Sequence, residues 1–199
     1  TQLYQNSIYL AARSDARKTM RLLKSRLNTF SNDTYTLAAR VLELESAIFD
    51  QYQLLRAGKL DTIKIRVHGD YHLSQVLFTG KDFVIIDFEG EPANPISERR
   101  LKRSAFRDLA GMIRSFNYAG YTALLNTTAV SPEEKSDLED WIYLWYKNIS
   151  AAFMNAYLVE IGSSNIVPQD TRQQTLLLRI FMIQKAMYEI AYELNNRPD

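Results

Sequence analysis

The chain has 199 residues, and its 24 Lys and Arg nearly balance 23 Asp and Glu, so the formal net charge is +1 at pH 7. This balance gives no long-range attraction to nucleic acid or to a membrane surface. The absence of cysteine excludes disulfides and thiolate metal sites and fits a reducing cytoplasm. No apolar run approaches the roughly 20 residues of a transmembrane helix, and no secretory signal opens the chain. We therefore expect residues 1–199 to form a single cytoplasmic domain.

Helical periodicity dominates the first part of the chain. The stretch from Leu3 to Leu27 predicts a helix that is interrupted around Ser14 and Asp15. After candidate N-caps at residues 31–33, apolar residues at three- and four-residue steps predict an amphipathic helix that ends near Gly58. These residues are Leu37, Val41, Leu44, Ile48, Tyr52 and Leu55.

The segment from Ile63 to Glu89 has the patterns of short strands. Apolar and polar residues alternate over residues 63–67, and a compact apolar run follows at Phe83–Ile86. Between them, residues 79–82 (Thr-Gly-Lys-Asp) have the composition of a hairpin turn. We expect the hairpin to bring residues 68–70, at the end of one strand, close to Asp87, at the end of another.

Helices return after a loop at residues 90–95 that contains two prolines. One is predicted from Phe106 to Leu125, a second begins at the capping box Ser131–Glu134, and a last one begins at Asp170 or Thr171. The sequence thus predicts a mainly helical (α+β) fold with one small sheet. A dense charged stretch at residues 98–107 is open to two interpretations, a phosphate or substrate pocket and a set of surface ion pairs.

The acidic residues of the strand segment have a spacing known from phosphoryl transfer. Protein kinases carry an H-R-D-x4-N catalytic loop and, one short strand later, an Asp-Phe-Gly metal motif. Here the loop is His68–Asp70 followed by Gln75, and the second motif is Asp87–Glu89. The spacing predicts that Asp70 orients the attacking hydroxyl and that Gln75 and Asp87 hold magnesium through oxygen atoms. Glu89 replaces the usual glycine and adds a possible third carboxylate ligand.

Two other functions are compatible with these residues. His68, Asp70 and His72 form an H-x-D-x-H cluster that could bind zinc or iron in a metal-dependent hydrolase. Against it, no further histidine or cysteine completes a nitrogen-rich site, and the Asp87–Glu89 motif is left unexplained. The alternative without catalysis is a kinase-like module that binds sugar or acts as a scaffold.

The sequence from His68 to Ala119 also resembles a known family, the maltokinase branch of the aminoglycoside phosphotransferase superfamily. The closest resemblance is to the maltokinase-like domain fused behind bacterial trehalose synthases. The matching motifs are HGDYHLSQVL, IDFEGEP, SERRLKRSAFRDLAGM and SFNYA. The resemblance implies a protein-kinase-like fold and the transfer of phosphate from ATP to maltose, with magnesium, to give maltose 1-phosphate. It also implies a trehalose synthase domain in the same polypeptide.

Carried over to this sequence, the resemblance implies Asp70 as the catalytic aspartate and Gln75 and Asp87 as metal ligands, with Glu89 in the family's IDFE variant. Asp108 resembles the buried helix aspartate that fixes the catalytic loop, and His68 is expected to support the same loop. The seven glycines are scattered, and no strand-rich stretch precedes residue 60, so we expect the C-lobe without its nucleotide lobe. The fragment alone is therefore expected to be close to inactive. Other acceptors, glucosamine among them, are compatible with the same loop.

Overall fold

The structure, a computed structural model, describes residues 2–127 and 131–197, without the side chains of residues 132 and 133. Within these ranges the chain is mainly helical, with one two-stranded antiparallel sheet, so the predicted fold class is confirmed. The chain divides into two compact units, one formed by residues 1–61 and 170–199 and the other by residues 62–169. No helix in the described ranges has both the length and the apolar character needed to cross a membrane.

The first unit is built around helix α1 (Gln2–Arg26), which packs against the last helix, α7 (Thr171–Asn196). The predicted interruption of α1 at Ser14 and Asp15 is wrong. Both residues lie on the exposed face of a continuous helix, where Asp15 pairs with Lys18 at 3.7 Å. The opposite face buries apolar side chains, and this burial stabilises the helix through its polar turn. The buried residues are Ile8, Tyr9, Ala12, Ala16, Met20 and Leu23.

The predicted single helix before Gly58 is two helices, α2 (Asn32–Glu43) and α3 (Glu45–Gln53), separated at Leu44. A 3₁₀ turn, Leu54–Arg56, follows α3. Its end is fixed by the buried Gln5, whose amide nitrogen donates to the carbonyl oxygens of Leu55 at 2.7 Å and Gly58 at 2.6 Å. The sequence predicts that Gly58 caps this helical segment. In the structure the side chain of Gln5, 50 residues from Leu55, binds the free carbonyl oxygens instead.

The second unit is built around helix α5 (Phe106–Asn126), which follows the short helix α4 (Ile96–Arg99) and packs against α6 (Pro132–Ile161). The start of α6 has the predicted capping box, in which Ser131 and Glu134 bond to each other's backbone N–H. On α5, Phe116 makes edge contacts with Trp145 and Phe153 of α6, with ring centroids 6.4 and 5.8 Å apart. This packing holds α5 in place as the support for the site.

The sheet consists of strands β1 (Val76–Phe78) and β2 (Phe83–Ile85), joined by the predicted turn, in which Thr79 N–H donates to the Asp82 carbonyl at 2.8 Å. The predicted strand at residues 63–67 is wrong, because only Ile65 pairs there, in a single bridge with Arg103. Residues 100–103, which follow the short helix α4, form no strand with which residues 63–67 could pair over a greater length. The hairpin pairs the backbone of Gln75 with that of Ile86, and Nε2 of His68 lies 2.7 Å from the Ile86 carbonyl oxygen, so the expected approach of residues 68–70 to the segment of Asp87 is present at His68.

Candidate active site

The segment His68–Asp70 is fixed to α5 by one carboxylate. The N–H of His68 donates to Oδ2 of Asp108 at 2.6 Å, and the N–H of Gly69 donates to Oδ1 at 2.9 Å. Asp108 lies in the first turn of α5, which is held by the core of the second unit. Both carboxylate oxygens are thus used to hold two consecutive peptide groups, which leaves little freedom to the backbone that carries Asp70.

Burial raises the pKa of the Asp108 carboxyl group above the ordinary aspartate value, because the charged form loses contact with water. The N–H donors of Gly69 and His68 and the nearby charges of His68 and Arg107 act in the opposite direction on that pKa. A raised folded-state pKa means that the folded protein takes up this proton more readily than the unfolded chain. The contribution of Asp108 to stability is therefore fully present below the ordinary aspartate pKa and is lost as pH rises through the raised one.

His68 connects the loop to the hairpin. Its Nε2 lies 2.7 Å from the Ile86 carbonyl oxygen, and its Nδ1 lies 3.4 Å from the N–H of Asp70. Since a carbonyl only accepts, Nε2 carries the proton and Nδ1 is the acceptor. The buried ring also packs against Phe88, with centroids 4.9 Å apart. One histidine thus contacts both the backbone of Asp70 and the residues on either side of Asp87.

Asp70 itself is mostly buried, with 16% of its side chain exposed, and its Oδ2 lies 3.4 Å from Nε2 of His72. His72 is next to a 3₁₀ turn, Leu73–Gln75, whose first N–H donates to the Ser115 hydroxyl at 3.2 Å. The segment from His68 to Leu73 is therefore held by two side chains of α5, Asp108 and Ser115.

Gln75 and Asp87 meet at the open end of the hairpin. The Gln75 side-chain amide lies 3.0 Å from Oδ2 of Asp87, and the Ile86 N–H donates to the Gln75 carbonyl at 3.0 Å. Asp87 has φ 62°, the left-handed region that non-glycine residues rarely occupy and that is often found at functional sites. A carboxylate and an amide oxygen are ligands that magnesium accepts, and magnesium uses one or two carboxylates together with substrate phosphates. The two residues therefore fit a magnesium site.

Glu89, the third expected ligand, is directed away into solvent. Its side chain is 80% exposed and lies 4.0 Å from Nη1 of Arg99. Among the described residues, no group of three His, Cys, Asp or Glu side chains converges as a metal site. The His68, Asp70 and His72 cluster does not come together either, because His68 is bonded to the Ile86 carbonyl and to the Asp70 N–H. The geometry does not support a zinc or iron hydrolase.

The charged stretch does not form a phosphate pocket in this conformation. Arg99, Arg103 and Arg107 line a recess beside Gly69 and Gly90, but its volume is only about 20 Å³. A single water needs about 10–15 Å³ on the same measure, so the recess has room for one water and not for a phosphate.

Gly111 allows the close approach of the catalytic loop to α5. A Cβ at this position would lie 2.7 Å from the carbonyl oxygen of Tyr71. We expect Gly111→Ala to lower the free energy of unfolding by about 1–3 kcal/mol, because backbone must move to admit the methyl group. Thermal and denaturant unfolding measure this effect. Gly58→Ala is the control, because nothing lies within 4 Å of its Cβ. Equal stability of the two variants would contradict the contact.

Asp108→Asn tests how the loop is held. An asparagine keeps one acceptor oxygen but turns an N–H₂ group toward a backbone donor, so we expect a loss of about 1–3 kcal/mol in stability. We also expect about tenfold lower turnover of the complete protein, because Asp70 is displaced. Because wild-type stability from this group falls with rising pH, the stability difference should be largest below the ordinary aspartate pKa and smaller above the raised one. A difference that grows with pH would contradict this sign.

Sequence reasoning missed three residues that shape the site. Ser115 and Gly111 lie in mid-helix, where serine and glycine have no distinctive signal, and Arg99 was one cation among many. Two further residues, Gly69 and Gly90, could be noticed in the sequence because each directly follows a motif residue. In the structure both have positive φ, 89° and 77°. A Cβ on Gly69 would lie 3.2 Å from the Gly90 Cα, so these two loops touch through their glycines.

The chain is 29% identical over 93 residues to a glucosamine kinase of Streptacidiphilus jiangxiensis, which covers 47% of this chain and 20% of that protein. It is 28% identical over 134 residues to a glucosamine kinase of Mycolicibacterium smegmatis, covering 66% of this chain and 30% of that protein. No family model matches the chain.

Solved structures of glucosamine kinase superpose on the whole chain. One, in complex with glucosamine, ADP and inorganic phosphate, has a TM-score of 0.78 at 21% identity and matches 100% of this chain over 45% of its own length. Another structure of glucosamine kinase, crystal form A, has a TM-score of 0.77 at 20% identity and is matched over 44% of its length. The chain shares their fold. The chain spans less than half the length of the relatives that it matches. These relatives are sugar kinases, which agrees with the broad class that the sequence resemblance implied.

Proposed function

We propose that this chain is the catalytic-loop lobe of a magnesium- and ATP-dependent sugar kinase, with glucosamine as the favoured acceptor. The main observation in support of the proposal is that His68 contacts both motifs, the one with Asp70 and the one with Asp87. Its ring contacts the backbone N–H of Asp70 on one side and the Ile86 carbonyl, next to Asp87, on the other. The two relatives and the superposed structures, all glucosamine kinases, support the same reaction class.

In this proposal Asp70 accepts a hydrogen bond from the attacking hydroxyl of the sugar and orients it toward the terminal phosphorus of ATP. The transition state of phosphoryl transfer is loose, and charge spreads over the oxygens of the transferred group, so the reaction does not require a strong base. Nε2 of His72 lies 3.4 Å from Oδ2 of Asp70 and holds that carboxylate in place. Asp108 and Ser115 keep the loop backbone fixed, which supplies the positioning on which this reaction depends.

Gln75 and Asp87 would hold the magnesium ion, with Glu89 as a further candidate once its side chain turns inward. The ion, when bound, neutralises charge on the phosphate oxygens. The Gln75 amide nitrogen lies against Asp87 at 3.0 Å, so its amide must turn over to present the oxygen. Rotation of the terminal amide provides this without any movement of the backbone.

The acceptor is the finer part of the proposal. The relatives favour glucosamine, whereas the motifs from His68 to Ala119 resemble maltokinases and favour maltose, with a trehalose synthase domain in the same polypeptide. We place glucosamine first because both sequence and fold comparisons agree on it.

The test is a phosphoryl-transfer assay on the complete polypeptide that contains this chain. MgATP is supplied with glucosamine, maltose, glucose or N-acetylglucosamine, and sugar phosphate is followed by ³¹P NMR and ADP by a coupled assay. We expect magnesium-dependent phosphorylation, fastest with glucosamine. Maltose 1-phosphate as the dominant product would replace glucosamine by maltose and call for a test of maltose–trehalose interconversion. No transfer to any sugar, with ATP bound, would favour the non-catalytic module and overturn the kinase proposal.

A further inference from the structure

The loop that follows Asp87 has an unusual backbone. Asp87 and Gly90 both have positive φ, 62° and 77°, and Asp87 is the only non-glycine residue with positive φ in the described part of the chain. A left-handed conformation is strained for a residue other than glycine and persists only where neighbouring contacts impose it. Asp87 is exposed and its side chain is held by Gln75 at 3.0 Å, so contacts of the residues that follow it also bear on this conformation.

Arg99, at the end of α4, makes three contacts with this loop. Its Nε donates to the Asn94 carbonyl at 2.9 Å, and its Nη1 lies 4.0 Å from Oε2 of Glu89. Between these two points its stem packs on Gly90, since a Cβ there would lie 3.4 Å from the arginine Cβ and 3.6 Å from its Cδ. Only 21% of the Arg99 side chain is exposed, although it is a surface-type residue.

The contact with Gly90 also reaches the catalytic loop. A Cβ on Gly90 would also lie 3.5 Å from the His68 carbonyl oxygen, and a Cβ on Gly69 would lie 3.2 Å from the Gly90 Cα. The arginine stem and the His68 carbonyl therefore both lie against Gly90, so Arg99 contacts the segment after Asp87 at the point where it meets the loop of Asp70. An arginine suits this because its planar head donates in fixed directions while its stem packs on apolar surface.

We propose that Arg99 is a positioning residue that holds the segment from Asp87 to Asn94, so that Asp87 keeps the orientation in which it binds the metal ion. This inference rests on the proposed function. It differs from a phosphate-binding role, in which the guanidinium would touch the substrate. In the structure, Nε is bonded to a backbone carbonyl and Nη1 faces Glu89.

The test compares Arg99→Ala with Arg100→Ala in the complete protein. Arg100 is the next residue, is exposed, and its side chain makes no hydrogen bond or ion pair in the described part of the chain, so the two variants lose the same charge. We expect Arg99→Ala to lower kcat about tenfold and to raise the magnesium concentration for half-maximal rate at least about fivefold, with the sugar KM changed less than about twofold. Arg100→Ala should match the wild type.

Hydrogen–deuterium exchange supplies a readout that does not depend on activity. We expect faster exchange of the amides between residues 87 and 94 in Arg99→Ala and unchanged exchange in Arg100→Ala. Arg99→Lys keeps the charge near Glu89 but lacks the planar head, so its exchange should be intermediate. If Arg99→Ala fails to fold, this variant carries the test.

Two results would overturn the inference. One is Arg99→Ala with the exchange and magnesium dependence of Arg100→Ala, and the other is a raised sugar KM with an unchanged magnesium requirement, which would place the arginine at the acceptor. If the complete protein phosphorylates no sugar, the proposed function fails, and the exchange comparison still decides whether Arg99 holds the loop.

Discussion

Asp70→Asn in the complete protein is expected to lower kcat by about 10²- to 10⁴-fold, the range typical for loss of a general base or hydroxyl-orienting group. The asparagine has nearly the same shape, and the loop remains anchored by Asp108 through two N–H bonds. The change therefore removes the acceptor of the hydroxyl proton and leaves the fold in place. In the proposed mechanism magnesium and ATP contact other residues, so their apparent affinities should change little.

The measurement is initial rate against sugar and MgATP concentrations, with unfolding curves recorded for each variant. Asp137→Asn serves as the control, since Asp137 is an exposed aspartate on α6 whose side chain makes no hydrogen bond or ion pair with the residues that the structure describes. A loss of less than about tenfold in kcat would remove Asp70 from the catalytic role. A large loss accompanied by a large drop in stability would instead indicate a structural role.

Asp87→Asn is expected to lower kcat by about 10²- to 10³-fold and to raise the magnesium concentration for half-maximal rate, because a neutral amide would replace the carboxylate of the proposed metal ligand. Asparagine is the suitable substitution at this position. It adopts the left-handed conformation more readily than other non-glycine residues, so the φ of 62° is kept. The amide can also keep a hydrogen bond with Gln75.

Glu89→Gln is the matched comparison for Asp87→Asn, since it removes one carboxylate two residues away. The Glu89 side chain is 80% exposed, so we expect a much smaller loss of turnover than at Asp87. Direct binding of Mn²⁺, a spectroscopic substitute for magnesium, measures the same difference without turnover. Equal losses for the two variants would show that Glu89 is also a ligand, and no loss at Asp87 would remove the metal site from the hairpin.

Local interactions explain which features were predictable from sequence. The turn at residues 79–82 closes through Thr79 and Asp82, and helix α6 begins with bonds between Ser131 and Glu134. Asp170 caps α7 by accepting from the Arg172 N–H at 2.8 Å. In each case the partners lie within three residues of one another, so the residue types alone determine the structure.

Long-range contacts decided the rest. The burial of one face of α1 carries the helix through Ser14 and Asp15, and residues 63–67 form no strand because only Arg103 is available to pair with Ile65. In the site, the residue types and spacing of Asp70, Gln75 and Asp87 were readable from the sequence. Their arrangement depends on Asp108, 40 residues from His68, and on the pair of Gln75 and Asp87, 12 residues apart. A sequence pattern reports local preference and spacing, whereas the packing of α5 and the close approach of Gly69 to Gly90 exist only after the chain has folded.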